Sequence, residues 1–258
     1  METDKSAYTV QTVNKAFELL GLLSESSTDL TLPVLASKVQ LSRNKAYRLL
    51  TTLVENGLAE HDKQTGTYRL GIASYSLAQK VIHSSSVINL SHSVIEELAR
   101  KHDEAVYMTV IRRDEVLFLD MADCDQQIKT VSLLGKQFPY FTNAAGKAIK
   151  ALESAEVIEW LRSRKLGKYK GITDTEKLAT ELLEIRSNGG VAVDCGGLGE
   201  GISSVAVAVK DYAGHVIGAI TMLGPSFRLV KERIENEIIP SLMEGAAAIS
   251  EKFGYAPV

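Results

Sequence analysis

The chain predicts an α+β protein in two parts: a small helical head closed by a hairpin, then a larger antiparallel sheet carrying helices. Three observations predict it. Residues 42–56 have the period of an amphipathic helix, two short strand-like runs joined by a polar, Gly-ended turn follow at once, and beyond residue 86 paired strand-like runs alternate with helical stretches.

The head begins with a helical pattern over residues 10–24. A second helix, residues 31–39, starts on Thr31 and carries its own apolar set of Leu32, Leu35, Ala36 and Val39; only Gln40 and Leu41 separate it from the third. In that third helix, at about 100° per residue, Ala46, Leu49, Leu50 and Leu53 fall within an arc of roughly 100°, the width of a core-facing stripe. Asn44, Arg48 and Thr51 point the other way, and Tyr47 lies on the flank. Ser42 is a suitable N-cap and Gly57 stands where a helix end needs positive φ. Leu58-Ala59-Glu60-His61 and Thr67-Tyr68-Arg69-Leu70 then read as strands around Asp62-Lys63-Gln64-Thr65-Gly66. Three helices and a hairpin make a winged helix-turn-helix.

A polar helix face is also what a merely solvated helix presents, so charge decides the reading. Between residues 38 and 69, Lys38, Arg43, Lys45, Arg48, Lys63 and Arg69 oppose Glu55, Glu60 and Asp62, which leaves this stretch at +3 in a chain of net charge −3. A basic island on a slightly acidic protein suits DNA, whose phosphates are neutralised only where the module docks.

The remaining composition is that of an ordinary globular chain: 258 residues, 45% hydrophobic and 24% charged, enough for two domains. Residues 1–7 are polar and of mixed charge, unlike a signal or transit peptide, and no apolar run reaches the roughly 20 residues of a membrane span. No membrane is therefore expected as a partner. Cys124 and Cys195 follow no metal or redox spacing, so they read as packing residues in a reducing cytoplasm.

Residues 72–86 read as a linker helix closed by Ser84-Ser85-Ser86, which divides the chain into 1–71, 72–86 and 87–258. In the last part, residues 87–101 are helical, residues 105–111, 116–121 and 129–133 are strands, and residues 143–152, 155–162 and 175–187 are helices. Residues 191–194, 203–209 and 216–223 are strands, and a long helix over residues 229–253, kinked by Pro240, closes the chain. Short turns between strands imply an antiparallel sheet, with helices returning over one side.

Leu41-Ser42-Arg43-Asn44-Lys45-Ala46-Tyr47-Arg48-Leu49-Leu50, then Leu53, Gly57-Leu58 and Tyr68-Arg69-Leu70-Gly71, form one ordered set in the head. Phe138-Pro139, Ala144-Ala145-Gly146-Lys147-Ala148, Gly190-Val191-Ala192-Val193-Asp194, Gly201-Ile202, Ala206-Val207-Ala208-Val209 and Leu223-Gly224-Pro225 form another in the tail. In order and spacing the two sets resemble the IclR family of bacterial transcriptional regulators. The resemblance spans about residues 10 to 255. It implies a GAF-like effector-binding domain, a homodimer or dimer of dimers on double-stranded operator DNA, a small-molecule effector, and RNA polymerase as a further candidate partner. No cofactor is implied.

Within the head, Arg48 and Asn44 can pair bidentately with guanine and adenine edges. Arg43, Lys45 and Lys63 suit phosphates, Tyr47 suits either, and Ser42 and Thr51 complete the candidate DNA-binding set. In the sensor, the resemblance places effector against the backbone of Ala144, Ala145 and Gly146 and against Asp194, Ser204, Thr221 and Leu223. A helix N-terminus such as the one opened by Asn143 is a natural seat for a carboxylate. Ser204 stands where the family usually has cysteine, Leu223 where sensors of small acids often have serine, and Cys195-Gly196-Gly197 where acidic residues are usual. An apolar wall at Leu223 favours an aromatic or otherwise partly apolar carboxylate over two-carbon acids, unless Leu223 simply faces the core.

Two other readings stay open. An enzyme with a winged-helix appendage needs a nucleophile beside a base, and Ser203, Ser204 and Asp194 have no histidine on a neighbouring element. A DNA-binding regulator without effector is the other. No histidine pair has metal-ligand spacing, and the glycines of residues 196–201 enter a strand rather than open a helix, against a dinucleotide site.

Overall fold

The computed structural model describes residues 9–26, 28–112, 114–153, 158 and 175–256. The chain divides into two compact units, residues 1–85 and 86–258.

In the first unit, α1 (Gln11–Glu25), α2 (Leu32–Lys38) and α3 (Arg43–Glu55) enclose Leu19, Leu23, Leu35, Leu50 and Leu53. Of the apolar stripe read from the sequence, Ala46, Leu50 and Leu53 are buried and Leu49 is half-buried against the same core. The joint between α2 and α3 closes on Gln40, at φ +56°, with the Leu41 amide donating to Ala36 O at 2.9 Å. Strands β2 (Ala59–Asp62) and β3 (Thr67–Leu70) form the hairpin. Its turn is held by Asp62, whose carboxylate accepts from the Gln64 amide at 2.7 Å. A third strand, β1 (Leu30–Thr31), pairs with β3 and places Leu30 opposite Tyr68. It was not expected, and with it Thr31 enters α2 without a side-chain cap bond. Helix α4 (Ile72–Ser84) ends the unit.

The second unit is a six-stranded, wholly antiparallel sheet in the order β6-β5-β4-β9-β8-β7. The strands are β4 (Ala105–Arg112), β5 (Glu115–Ala122), β6 (Gln137–Pro139), β7 (Val191–Cys195), β8 (Ile202–Lys210) and β9 (Val216–Pro225). Helices α6 (Ala144–Leu152) and α7 (Thr175–Ser187) pack on one face with Tyr107, Phe118, Ala206 and Leu223. Helix α5 (Ser86–His102) and the closing helix pack on the other with Val106, Met108, Val205, Val207 and Met222. The expectation of helices on one side is therefore corrected. The run Val205-Ala206-Val207-Ala208-Val209 is apolar at both parities, and only a sheet covered on both faces can bury it.

Two further expectations change. Residues 129–133 form no strand, and the edge partner of β5 is β6 instead. Their alternation has a different cause: Leu133 turns inward, its amide donating to the Tyr107 hydroxyl at 3.3 Å, while Val131 faces solvent. The closing helix is α8 (Lys231–Arg233), one π turn (Ile234–Ile238) and α9 (Ile239–Lys252), not a single kinked α-helix. Pro240, in the first turn of α9, lacks the N–H that would continue the ladder, and the chain absorbs the gap as the π turn. Of the helix expected over residues 155–162, only Ile158 is among the described residues, helical and buried; Trp160 lies outside them.

At the end where β4, β9 and α8 meet, Glu104 is buried and bonded by Arg228 (2.6 and 2.8 Å) and Arg233 (3.1 Å). The guanidiniums spend their other hydrogens on Ile128 O, Arg228 O and His102 O. Removing one partner of a buried pair leaves the other's charge uncompensated. Glu104→Gln should therefore cost roughly 3 kcal/mol or more in urea unfolding, and a loss indistinguishable from zero would refute the clamp. Next to it, burial, together with Lys101 and Arg233, holds the His102 imidazole below its ordinary pKa. Its stabilising effect is present above the unfolded value of about 6.5 and is lost as pH falls through the folded one. Stability measured at pH 7.5 and pH 5.5 should fall further on acidification for the wild type than for His102→Gln.

Candidate DNA interface and effector site

The Ser42 hydroxyl caps α3 by accepting from the Lys45 amide at 3.4 Å, and Gly57, at φ +69°, ends the element that follows. The cap starts the helix where Arg43, Asn44, Lys45 and Arg48 all face solvent. Tyr47 is 52% exposed, and Thr51 is half-buried. Among the described residues, no ion pair engages Arg43, Lys45, Arg48 or Lys63, so their charge is uncommitted. Arg69, by contrast, is held by Glu60 at 2.8 Å across the hairpin and belongs to the wing's own structure. Lys63 sits at the exposed turn of the wing.

A groove of about 570 Å³ runs between α1 and α3, with Lys45, Arg48 and Thr52 on one wall and Gln11, Thr12 and Lys15 on the other. The residues of α1 escaped the sequence reading. Nothing in their spacing marks them, because their position beside α3 follows only from how the two helices pack.

In the second unit, strand register collects the expected sensor residues. Asp194, Ser204 and Leu223 are direct neighbours on β7, β8 and β9, and Thr221 lies two residues back on the same face as Leu223. Helix α6 covers that face and presents Ala144 and Ala145 at its first turn. All are buried except Asp194, which is partly so. Gly146 is required there, because a Cβ would collide with the Tyr140 backbone. The Gly146 amide is capped by Asn143 Oδ1 at 3.0 Å, so of the first-turn amides those of Ala144 and Ala145 are the ones left for a ligand.

Polar groups on this face are few and unequally satisfied. Thr109 and Thr221 hydroxyls are 3.4 Å apart, and Thr109 donates to Ala219 O at 2.9 Å. Ser204 Oγ is buried without a hydrogen-bond partner among the described residues. Leu223 is 1% exposed and packs in the apolar cluster with Tyr107 and Phe118.

Sequence reasoning missed Lys147. Its ammonium is buried between Glu181 on α7, at 2.8 Å, and Asp194 on β7, at 2.9 Å. Burial works against that charge, but the bonds from Glu181 and Asp194 outweigh it and hold the pKa above the ordinary lysine value. The second Asp194 oxygen accepts from the Gly197 amide at 2.9 Å. A lysine on the inner side of an otherwise alanine-rich helix was the available signal: Ala144, Ala148 and Ala151 share the burial of Lys147. Cys124 is buried, as expected of a packing residue, whereas Cys195 is exposed and accepts from the Ser203 hydroxyl at 3.4 Å. Neither Asp194 nor Ser203 bonds a histidine among the described residues.

Comparison with known proteins turns this geometry into an assignment. The family description "Bacterial transcriptional regulator IclR C-terminal" matches residues 79–251, and "IclR helix-turn-helix domain" matches residues 12–63. The chain belongs to the IclR family. It is a DNA-binding transcriptional regulator with a C-terminal effector-binding domain, not an enzyme. The HTH-type transcriptional regulator KdgR of Escherichia coli is 26% identical, over 98% of this chain and 97% of its own. The IclR transcriptional regulator from Alicyclobacillus acidocaldarius shares the fold at a TM-score of 0.81 and 26% identity, covering 95% of this chain and 99% of that one. An IclR homologue from Microbacterium hydrocarbonoxydans, solved with 4-hydroxybenzoate, has TM-score 0.76 at 21% identity, covers 94% and 98%, and shows the shared fold alone. No described helix is long and apolar enough to cross a membrane.

For this IclR-family head, the uncommitted cations predict two kinds of loss. Arg48→Ala should weaken operator binding by roughly 1 to 3 kcal/mol and relax discrimination at one position, while Lys63→Ala should weaken operator and scrambled duplex alike. Gel-shift titrations on both duplexes distinguish them; Arg48→Ala binding both as the wild type does would remove α3 from the base-reading role.

Proposed function

We propose that this regulator senses a partly apolar or aromatic carboxylate, held between α6 and the sheet, and that occupancy changes how firmly its head holds operator DNA. One observation carries the reading: Ser204 is a buried hydroxyl without a partner among the described residues, set between the Asp194 carboxylate and the apolar wall of Leu223. A buried polar atom left unsatisfied costs free energy. A ligand that offers a polar end there and a hydrocarbon body to Leu223, Tyr107 and Phe118 would recover that cost and bury apolar surface as well. The 4-hydroxybenzoate bound by the Microbacterium homologue has such a shape and lends support.

The proposed contacts are the amides of Ala144 and Ala145 with the adjoining Gly146 backbone, and the side chains of Asp194, Ser204, Thr221 and Leu223. In the head, Ser42, Arg43, Asn44, Lys45, Tyr47, Arg48, Thr51 and Lys63 would meet the duplex, Arg48 and Asn44 reading bases and the remaining cations holding phosphates. Residues 72–86 would connect the two parts. A single recognition helix contacts few base pairs, so the working unit would be a homodimer, or a dimer of such dimers, reading two half-sites. RNA polymerase is a further proposed partner once the protein is on its operator.

Calorimetry and thermal unfolding against benzoate, 4-hydroxybenzoate, glyoxylate and pyruvate test the effector. A ligand present at about a hundred times its Kd should stabilise the native chain by roughly 2.7 kcal/mol. The aromatic acids are expected to do so and glyoxylate and pyruvate not; tight binding of glyoxylate or pyruvate with none of the aromatic acids would overturn the preference. Silence of every acid, with operator binding intact, would favour a regulator without an acid effector.

A further inference from the structure

Resting on the acid-effector reading, we propose that Lys147 is the cation that receives the effector's carboxylate and that Glu181 is the group the effector displaces. Lys147 thereby becomes the specificity-determining residue for anionic ligands, and α7 becomes part of the response.

Charge drives the argument. As it stands, the inner end of the site holds one ammonium, Lys147, against two carboxylates, Glu181 and Asp194. A third carboxylate simply added beside Ser204 would place two uncompensated negative charges where solvent screens poorly. Among the described residues no other cation reaches Asp194; Lys150, one turn further along α6, is engaged by Glu153 at 2.9 Å. An acid can enter at tolerable cost only by exchange.

Geometry says which carboxylate leaves. Asp194 has a 12% exposed side chain and is anchored twice, by Lys147 and by the Gly197 amide at 2.9 Å. Glu181 has a 35% exposed side chain and only the Lys147 bond at 2.8 Å among the described residues. Rotation about its side-chain bonds carries it to water, where a lone carboxylate is well solvated. The entering carboxylate then takes its place on Lys147, whose side chain is only 10% exposed and whose ammonium must not be left unpaired. The orphan Ser204 hydroxyl, cross-strand neighbour of Asp194, stands where it can donate to the same ligand.

The exchange has a mechanical result. The Glu181–Lys147 bond is the ion pair between α7 and α6; once it is given up, α7 keeps its apolar contacts, such as Leu178 and Leu182, and, at its other end, the bonds of the Arg186 guanidinium to Ala151 O and Glu153 O. Occupancy would be felt by the helix that carried the displaced residue.

The test uses the full-length protein, with 4-hydroxybenzoate as probe and 4-hydroxybenzamide as its uncharged isostere. In titration calorimetry, wild type should bind the acid at least about tenfold more tightly than the amide, the difference expected for one charge-assisted hydrogen bond. Glu181→Gln, which removes the competing charge, should tighten the acid by about tenfold and leave the amide unchanged. Lys147→Met should abolish acid binding and Lys147→Arg restore part of it, with thermal unfolding reporting whether each variant folds. Equal affinity of wild type for acid and amide, which depends on no variant, would overturn the proposal, as would unchanged or weaker acid binding by Glu181→Gln; in both cases the acid-effector reading survives. If neither 4-hydroxybenzoate nor the other acids bind wild type, the effector reading falls first and this proposal with it.

Discussion

Helices lie against both faces of the six-stranded sheet, so β8 and β9 run almost wholly out of contact with water. Such strands gain stability from every apolar side chain on either face, and each polar side chain on them must find a partner inside the protein. The few polar side chains on these strands and on their neighbours β4 and β7 are therefore the informative ones. Thr109 and Thr221 satisfy each other and a backbone carbonyl, Asp194 satisfies Lys147 and Gly197, and Ser204 satisfies nothing among the described residues. The proposed effector site is the place where this constraint is incompletely met.

Two buried charge clusters obey the same rule in opposite ways. Around Glu104 two guanidiniums meet one buried carboxylate, with the exposed Glu237 3.9 Å from Arg233, and their spare hydrogens are absorbed by backbone carbonyls of α5, the loop at Ile128 and the approach to α8. Every group is committed, so the cluster is a brace. Around Lys147 the carboxylates are in excess, and the surplus one sits at the half-exposed edge of α7. A brace with a removable member is suited to ligand exchange, and the difference lies in how many partners each group keeps when one leaves.

The head follows the reverse economy. Its core needs only a handful of leucines and Tyr68 to fix three helices and a hairpin, and its chemistry is displayed outward on α3 and the wing. Arg43, Lys45, Arg48 and Lys63 have no ionic partner among the described residues, and a polyanion offers one at every phosphate. On the proposed reading, burial would give the effector site its selectivity and exposure would give the head its reach.

Much of this was legible from the residues alone. The stripe of Ala46, Leu50 and Leu53, the Ser42 cap, the turn at Asp62 and the Asn143 cap are local signals, set by bonds within a few residues, and they predicted the helices, the hairpin and the outward face of α3. Resemblance to a family extended that to the sensor positions. Decisions made between distant segments were not legible. The pairing of Leu30 with Tyr68, the choice of residues 137–139 over 129–133 at the sheet edge, the covering of both sheet faces, the π turn before Pro240, and the meeting of Lys147 with Glu181 and Asp194 all depend on which surfaces come together. Periodicity says which side of an element is apolar; it does not say what lies opposite. A lysine buried in an alanine-rich helix can be read as a charged partner only once packing has placed two carboxylates within hydrogen-bonding distance of it.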